Sequence, residues 1–200
     1  RVIKASGIDR KELFLTSKLW NDNKGYEATK AAVNQTLEDL QTDYLDLYLI
    51  HWPIAKASNG AWQEANSESW RAMEELYNAG VIKANGVSNF LPHHLEALFA
   101  TAKVKPMVNQ LEIHPGHLQE EAVAYSKEQG LLVEAWAPFA NGQIFDQPLL
   151  QEIAKRYNKN VAQISLRWLL QKDILPLPKS VTPARMAANL EVFDFTISDE

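Results

Sequence analysis

Cysteine is absent from the 200 residues. Its absence excludes disulfide bonds, thiolate metal sites and cysteine nucleophiles, and it agrees with a reducing compartment. No apolar run approaches the roughly 18 residues that a membrane-spanning helix needs. A basic surplus is also missing, since the net charge is −5, and this disfavours nucleic-acid binding as the main activity. We therefore expect a cytoplasmic protein whose partner is neither a nucleic acid nor a membrane.

Glycine is scarce, and its spacing excludes two kinds of nucleotide site. None of the eight glycines fits the G-x-G-x-x-G pattern of doubly wound dinucleotide-binding domains or the G-x-x-x-x-G-K pattern of phosphate-binding loops. What the sequence does contain is six short apolar runs, each followed by a segment with helical periodicity. Apolar residues at consecutive positions are typical of strands buried on both faces. The runs cover residues 13–19, 44–52, 85–90, 107–114, 131–139 and 174–180.

Strand and helix in repeated alternation predict parallel pairing with right-handed crossovers. Polar or catalytic types of side chain end nearly every predicted strand, which is the placement expected at the C-terminal face of a (β/α)8 barrel. We expect one domain over residues 1–200. Since six units are visible, we also expect the first two βα units and the C-terminal tail to lie outside this sequence. The strand-end residues are Lys18, His51, Ser88, Asn89, Gln110, Trp136, Lys179 and Ser180.

Three stretches resemble the aldo-keto reductase family. The first joins residues 15–20 (LTSKLW) to residues 43–53 (DYLDLYLIHWP), and the second joins residues 86–90 (GVSNF) to residues 108–110 (VNQ). The third is residues 177–183 (LPKSVTP) followed by Arg185 and Asn189. Phe145-Asp146-Gln147 and Trp136 make bacterial members of the 2,5-diketo-gluconate reductase type the most similar in appearance.

The resemblance implies NADPH-dependent reduction of an aldehyde or ketone, with α-dicarbonyls and keto-sugar acids among the candidate substrates. It also implies a catalytic tetrad of Asp, Tyr, Lys and His. Lys18 matches the lysine and His51 the histidine, while the Asp and Tyr would lie upstream of Arg1. A lysine ammonium lowers the pKa of a neighbouring phenol, which favours proton transfer near neutral pH. A histidine N–H can donate to the carbonyl oxygen.

The predicted cofactor contacts form two groups. Ser88, Asn89 and Gln110 are expected to bind the nicotinamide carboxamide, and Trp136 offers a flat face for the ring. These residues would place the hydride donor.

At the other end of the cofactor, Lys179 and Arg185 supply cations and Ser180 a hydroxyl where a helix is expected to begin. Cations at a helix N-terminus suit a phosphate, which favours NADPH over NADH. The resemblance places Asn189 near the adenine. Ala188 stands where many members of the family have a Glu that contacts the adenine.

Aromatic residues divide between the substrate site and the core. Trp20 and Trp52 are expected to face the substrate, a small-molecule carbonyl compound. Tyr48 lies three residues before His51, so strand alternation directs it towards the helices. Tyr26 is not expected to act as the acid. We expect the protein to be a monomer.

Two other functions fit parts of the sequence. One is a non-catalytic barrel that binds a dinucleotide. The other is a metal-dependent barrel hydrolase, since histidines with a nearby carboxylate can hold Zn²⁺, although a metal is not expected here. His93 and His94 are interpreted as an exposed pair. The residues available to a metal would be His51, Glu112, His114 and His117.

Overall fold

The computed structural model describes residues 2–54 and 60–198. The chain divides into two compact units, residues 1–108 and residues 109–200. Helices and strands alternate along both units, as the sequence predicts. Short 3₁₀ segments lie at Arg10–Glu12, Asn21–Asn23 and Ala140–Asp146. In chain order the other elements are α1 (Val2–Ser6), β1 (Thr16–Leu19), α2 (Tyr26–Leu40), β2 (Leu47–Ile50), α3 (Trp62–Asn78), β3 (Asn85–Ser88), α4 (Pro92–Phe99), β4 (Val108–Glu112), α5 (Glu120–Glu128), β5 (Leu132–Trp136), α6 (Pro148–Arg156), α7 (Val161–Gln171), β6 (Leu175–Pro176) and α8 (Pro183–Ala188).

The first unit is built on a parallel sheet in the order β1–β2–β3. All four residues of β2 are buried, which confirms the prediction of a strand covered on both faces. Tyr48 is fully buried within it, and burial raises the pKa of its phenol to about 12. Tyr48 is therefore a core residue, as the alternation predicted.

Gly86 on β3 marks the closest packing in this sheet. A β-carbon built there would lie 2.7 Å from Cδ2 of Leu49 and 2.7 Å from the carbonyl oxygen of Val108. Both neighbours belong to the packed interior, and the second is backbone, which cannot swing aside. The sheet therefore requires glycine at this position because of space.

The second unit contains the parallel pair β5–β6, in which Glu134 lies opposite Leu175. Residues of β4, α5, β5 and α7 form one apolar cluster around Leu111 and Leu169. Helix α7 begins with a capping box, since Asn160 accepts from the amide of Gln163 and the Gln163 side chain accepts from the amide of Asn160. These contacts fix the start of α7 beside the loop that follows β5.

Every predicted strand is present, but each is shorter than its apolar run. The clearest case is residues 174–180, where only Leu175 and Pro176 form a strand. Pro176 and Pro178 have no amide hydrogen, so they cannot donate to a sheet ladder. None of the helices within residues 2–54 and 60–198 is long and apolar enough to span a membrane.

Candidate active site

Lys18 and His51 lie at the ends of neighbouring strands. Lys18 pairs in register with Leu49, and the His51 amide donates to the carbonyl oxygen of Leu19 at 3.3 Å. Burial lowers the pKa of His51, and the nearby charge of Lys18 lowers it further. Both effects favour the neutral imidazole, in which the ring carries one N–H donor and one acceptor.

Two tryptophans flank His51. The ring centroid of Trp20 lies 5.0 Å from that of His51, and that of Trp52 lies 6.4 Å away. Both are unusually exposed for tryptophan, at 57% and 41%. Both rings are therefore accessible apolar surfaces beside the histidine, and their contact with a substrate stays a prediction.

Ser88 is the last residue of β3, and Asn89 follows it directly. Ser88 is buried, and Asn89 adopts a left-handed conformation with φ of 63°, which asparagine tolerates better than most residues. The side-chain amide of Asn89 donates through Nδ2 to the carbonyl oxygen of His51 at 2.9 Å and to the Ser88 hydroxyl oxygen at 3.1 Å. A predicted cofactor residue is therefore also a support of the main chain at His51.

In the second unit, Gln110 lies on β4 and Trp136 ends β5. Nε2 of Gln110 donates to a carboxylate oxygen of Glu134 at 2.7 Å, and both side chains are buried. The sequence analysis missed Glu134. A carboxylate inside an apolar strand was the signal that could have revealed it.

A cavity of about 930 Å³ lies wholly within the second unit. It opens between the loop after β5, the start of α7 and the segment that leads into α8. All four residues predicted for the phosphate and adenine end of the cofactor line it together, and Ala188 lines it as well. Helix α8 has only six residues, so the positive charges contribute more to this site than the helix does. The four predicted residues are Lys179, Ser180, Arg185 and Asn189.

A metal centre finds little support in the described parts of the chain. Among those residues, no group of three His, Cys, Asp or Glu side chains is close enough to hold an ion. His114 and His117 do lie near each other, with ring centroids 5.5 Å apart, but a backbone bridge between the two residues accounts for that proximity.

The interpretation of His93 and His94 as an exposed pair is wrong for His94. Its side chain is only 5% exposed and lies against the ring of Trp62 at 5.0 Å. Nδ1 of His94 accepts from the amide of Leu91 at 3.1 Å. The residue is a helix cap, a role that the pair of histidines in the sequence did not reveal.

Comparisons with known proteins agree with this geometry. The family model described as "Aldo/keto reductase family" matches residues 1–200. A glyoxal reductase of Bacillus subtilis (strain 168) is 50% identical over 198 residues, which cover 99% of this chain and 69% of that protein. Two solved structures are similar as well. An aldo/keto reductase from Brucella melitensis has a TM-score of 0.91 at 42% identity, covering 98% of this chain and 74% of that one. An aldo-keto reductase of Bombyx mori, solved in complex with NADP, has a TM-score of 0.87 at 35% identity, covering 97% and 67%. The predicted barrel class is confirmed.

Proposed function

Because the chain belongs to the aldo/keto reductase family, we propose that Lys18 and His51 handle the charge that develops on the substrate oxygen. Membership itself confirms the predicted activity, reduction of an aldehyde or ketone with NADPH. The observation that carries the proposal is the position of the two residues at adjacent strand ends, close enough for the charge of Lys18 to act on His51.

The two side chains have different roles. NADPH, when bound, supplies a hydride to the carbonyl carbon, and negative charge then grows on the oxygen. In its neutral form His51 keeps one N–H, which can donate to that oxygen and orient the carbonyl. Lys18 keeps a positive charge beside the site, which stabilises the oxyanion and favours the ionised form of a phenolic proton donor. Trp20 and Trp52 exclude water from one side of the substrate.

The cavity in the second unit fits the remote part of the cofactor. Its volume of about 930 Å³ is ample for a nucleotide. Lys179 and Arg185 would hold the 2′-phosphate, Ser180 would add a hydroxyl donor, and Asn189 would lie at the adenine. NADH lacks the 2′-phosphate, so it would leave these two cations without an anionic partner at this end of the cofactor.

The nicotinamide end is assigned to the remaining predicted residues. Ser88, Asn89 and Gln110 carry short polar side chains suited to a carboxamide, and Trp136 provides a flat surface for the ring. Glu134 orients Gln110 through the hydrogen bond to Nε2. This contact makes Nε2, and not Oε1, the end of the Gln110 amide that faces the Glu134 carboxylate.

Small α-dicarbonyl compounds are the proposed substrate class. The support is the 50% identity to a protein named as a glyoxal reductase, together with two exposed tryptophan rings beside His51. The measurement is kcat/KM for glyoxal and methylglyoxal against that for a keto-sugar acid. A preference for the sugar acid would contradict this class while leaving the reductase activity intact.

We take residues 1–200 as part of one barrel domain and expect a monomeric, cytoplasmic enzyme. The absence of cysteine supports the reducing compartment. Size-exclusion chromatography with light scattering measures the oligomeric state.

Replacing Lys18 with Met tests the catalytic assignment. The substitution keeps the length of the side chain and removes its charge, so kcat should fall about 100-fold or more. NADPH affinity should stay within about twofold, since Lys18 acts on the oxygen and not on the cofactor. Rates come from NADPH absorbance and affinity from fluorescence titration.

Lys11→Met is the matched control, because Lys11 is an exposed lysine in the 3₁₀ segment before β1. It should leave both quantities unchanged. Equal losses of turnover and NADPH affinity in Lys18→Met would contradict the assignment. A wild-type protein that binds NADPH but turns over none of a broad panel of aldehydes and α-diketones would favour the non-catalytic alternative.

A further inference from the structure

Lys24 is a partly buried lysine outside the residues discussed so far. It follows the 3₁₀ segment after β1, and its ammonium donates to three oxygens: the carbonyls of Trp52 at 2.6 Å and Pro53 at 2.7 Å, and Oδ1 of Asn66 at 2.5 Å. Three acceptors match the three donors of an ammonium. Every one of these partners is a neutral oxygen, so the charge has no carboxylate among them.

Asn66 completes the contact from α3. Its side chain is 2% exposed, and Nδ2 donates to the carbonyl oxygen of Pro53 at 3.0 Å. Burial lowers the pKa of Lys24 to about 8, and burying a charge without a counter-charge is costly. Its contacts with three oxygens offset part of that cost and join Lys24 to the segment after β2.

The segment that Lys24 contacts begins at His51. It lies beyond the end of β2 and has no ladder of its own, yet its three consecutive carbonyl oxygens all accept from side chains. Asn89 binds the carbonyl of His51, and Lys24 binds those of Trp52 and Pro53. Fixing the carbonyls on both sides of Trp52 fixes the backbone from which its ring projects.

We propose that Lys24 is a positioning residue, which holds residues 51–53 so that Trp52 forms a wall of the carbonyl-binding site. The inference rests on the proposed roles of His51 and Trp52. His51 is also held by Leu19 and Asn89. Removing the Lys24 side chain should therefore displace the Trp52 ring more than the His51 ring. The effect therefore falls on substrate binding and leaves the cofactor site intact.

Lys24→Ala tests this role. The KM for glyoxal should rise about tenfold or more, kcat should change by less than about threefold, and the Kd for NADPH should stay within about twofold. Lys30→Ala is the matched control, since Lys30 is a lysine on α2 that pairs with Glu75 at the surface. It should leave all three values at the wild-type level.

Chemical rescue separates positioning from general damage to the fold. Lys24→Ala lacks the propylammonium portion of the side chain, so added n-propylammonium should restore KM to within about threefold of wild type. Tetramethylammonium carries the charge but no N–H, and it should not rescue. Rescue by both cations, or by neither, would overturn the proposal, as would a fall in kcat at constant KM.

A readout independent of turnover keeps this inference distinct from the proposed function. Hydrogen exchange of the peptide that contains residues 51–54 should be faster in Lys24→Ala than in the wild type, and n-propylammonium should slow it again. Unchanged exchange would overturn the anchoring role even in an active enzyme. Faster exchange in Lys24→Ala, combined with a wild-type protein that has no reductase activity, would retain the anchor and reject the catalytic assignment.

Discussion

Acid should destabilise the first unit through His94. Nδ1 of this ring accepts from the amide of Leu91 at 3.1 Å, so it carries no proton. A protonated imidazole has two donors and no acceptor, and protonation therefore breaks the cap at the start of α4. Burial lowers the pKa of His94 from 6.5 to about 4, and the charges of His93 and Lys24 contribute.

The direction of the change in stability with pH depends on whether the unfolded or the folded chain binds a proton at the higher pH. Between pH 6.5 and 4 the unfolded chain binds a proton at this residue and the folded chain does not, so stability falls as the pH falls through that window. The stability that neutral His94 contributes is fully present above pH 6.5 and is lost below about pH 4. The difference between the pKa of His94 in the unfolded and folded chain corresponds to about 3 kcal/mol. Partial solvent screening reduces the expected loss of unfolding free energy between pH 7 and 5 to about 1–2 kcal/mol.

The assay is urea unfolding at pH 7 and pH 5 in the wild type and in His94→Gln. Glutamine keeps an acceptor for the Leu91 amide and does not ionise, so its loss between the two pH values should be smaller by about 1–2 kcal/mol. Comparing losses cancels the other groups that titrate in this range. His117→Gln, at an exposed position outside the contacts of His94, is the control and should lose as much as the wild type. Equal losses in all three proteins would refute the reasoning.

Two further substitutions probe the cofactor site and the sheet. Arg185→Ala should weaken NADPH binding about tenfold or more and NADH binding by less than about twofold, because only NADPH carries the 2′-phosphate. Arg156→Ala, on the exposed side of α6, is the control. Equal losses for both cofactors would remove Arg185 from the 2′-phosphate site. Gly86→Ala should lower the free energy of unfolding by about 1–3 kcal/mol through overpacking, measured by urea unfolding, whereas an unchanged value would mean that Leu49 and Val108 can move apart.

The central part of each strand could be predicted from the sequence, and the strand ends could not. Apolar residues at consecutive positions mark where a strand is buried, as in β2. Pairing also needs a free amide at each ladder position, and this depends on local chemistry that hydropathy ignores. Pro176 illustrates the difference, because the apolar run continues past it while β6 ends there.

The candidate site was predictable where family residues occupy strand ends, as Lys18 and His51 do. His94 was not, since nothing in the pair His93-His94 distinguishes the exposed ring from the buried one. The difference is set by α4, which turns His94 back towards Leu91 and Trp62. Glu134 could have been predicted as a hydrogen-bonded residue, because a carboxylate in a buried strand requires a partner.

Lys24 shows why residues that support an active site escape sequence analysis altogether. The sheet ladder stops at Ile50, so the carbonyls that follow need donors from elsewhere. These donors are close to the carbonyls in space but distant in sequence. Lys24 lies 28 and 29 positions before its two carbonyl partners, and Asn89 lies 38 positions after His51. No spacing pattern encodes such contacts. An ammonium offers three donors at one point, so one lysine can satisfy acceptors that would otherwise need two amides. A partly buried lysine bound to neutral oxygens beside a proposed catalytic strand end is therefore a physical criterion for positioning residues, and it can be applied where no sequence motif is present.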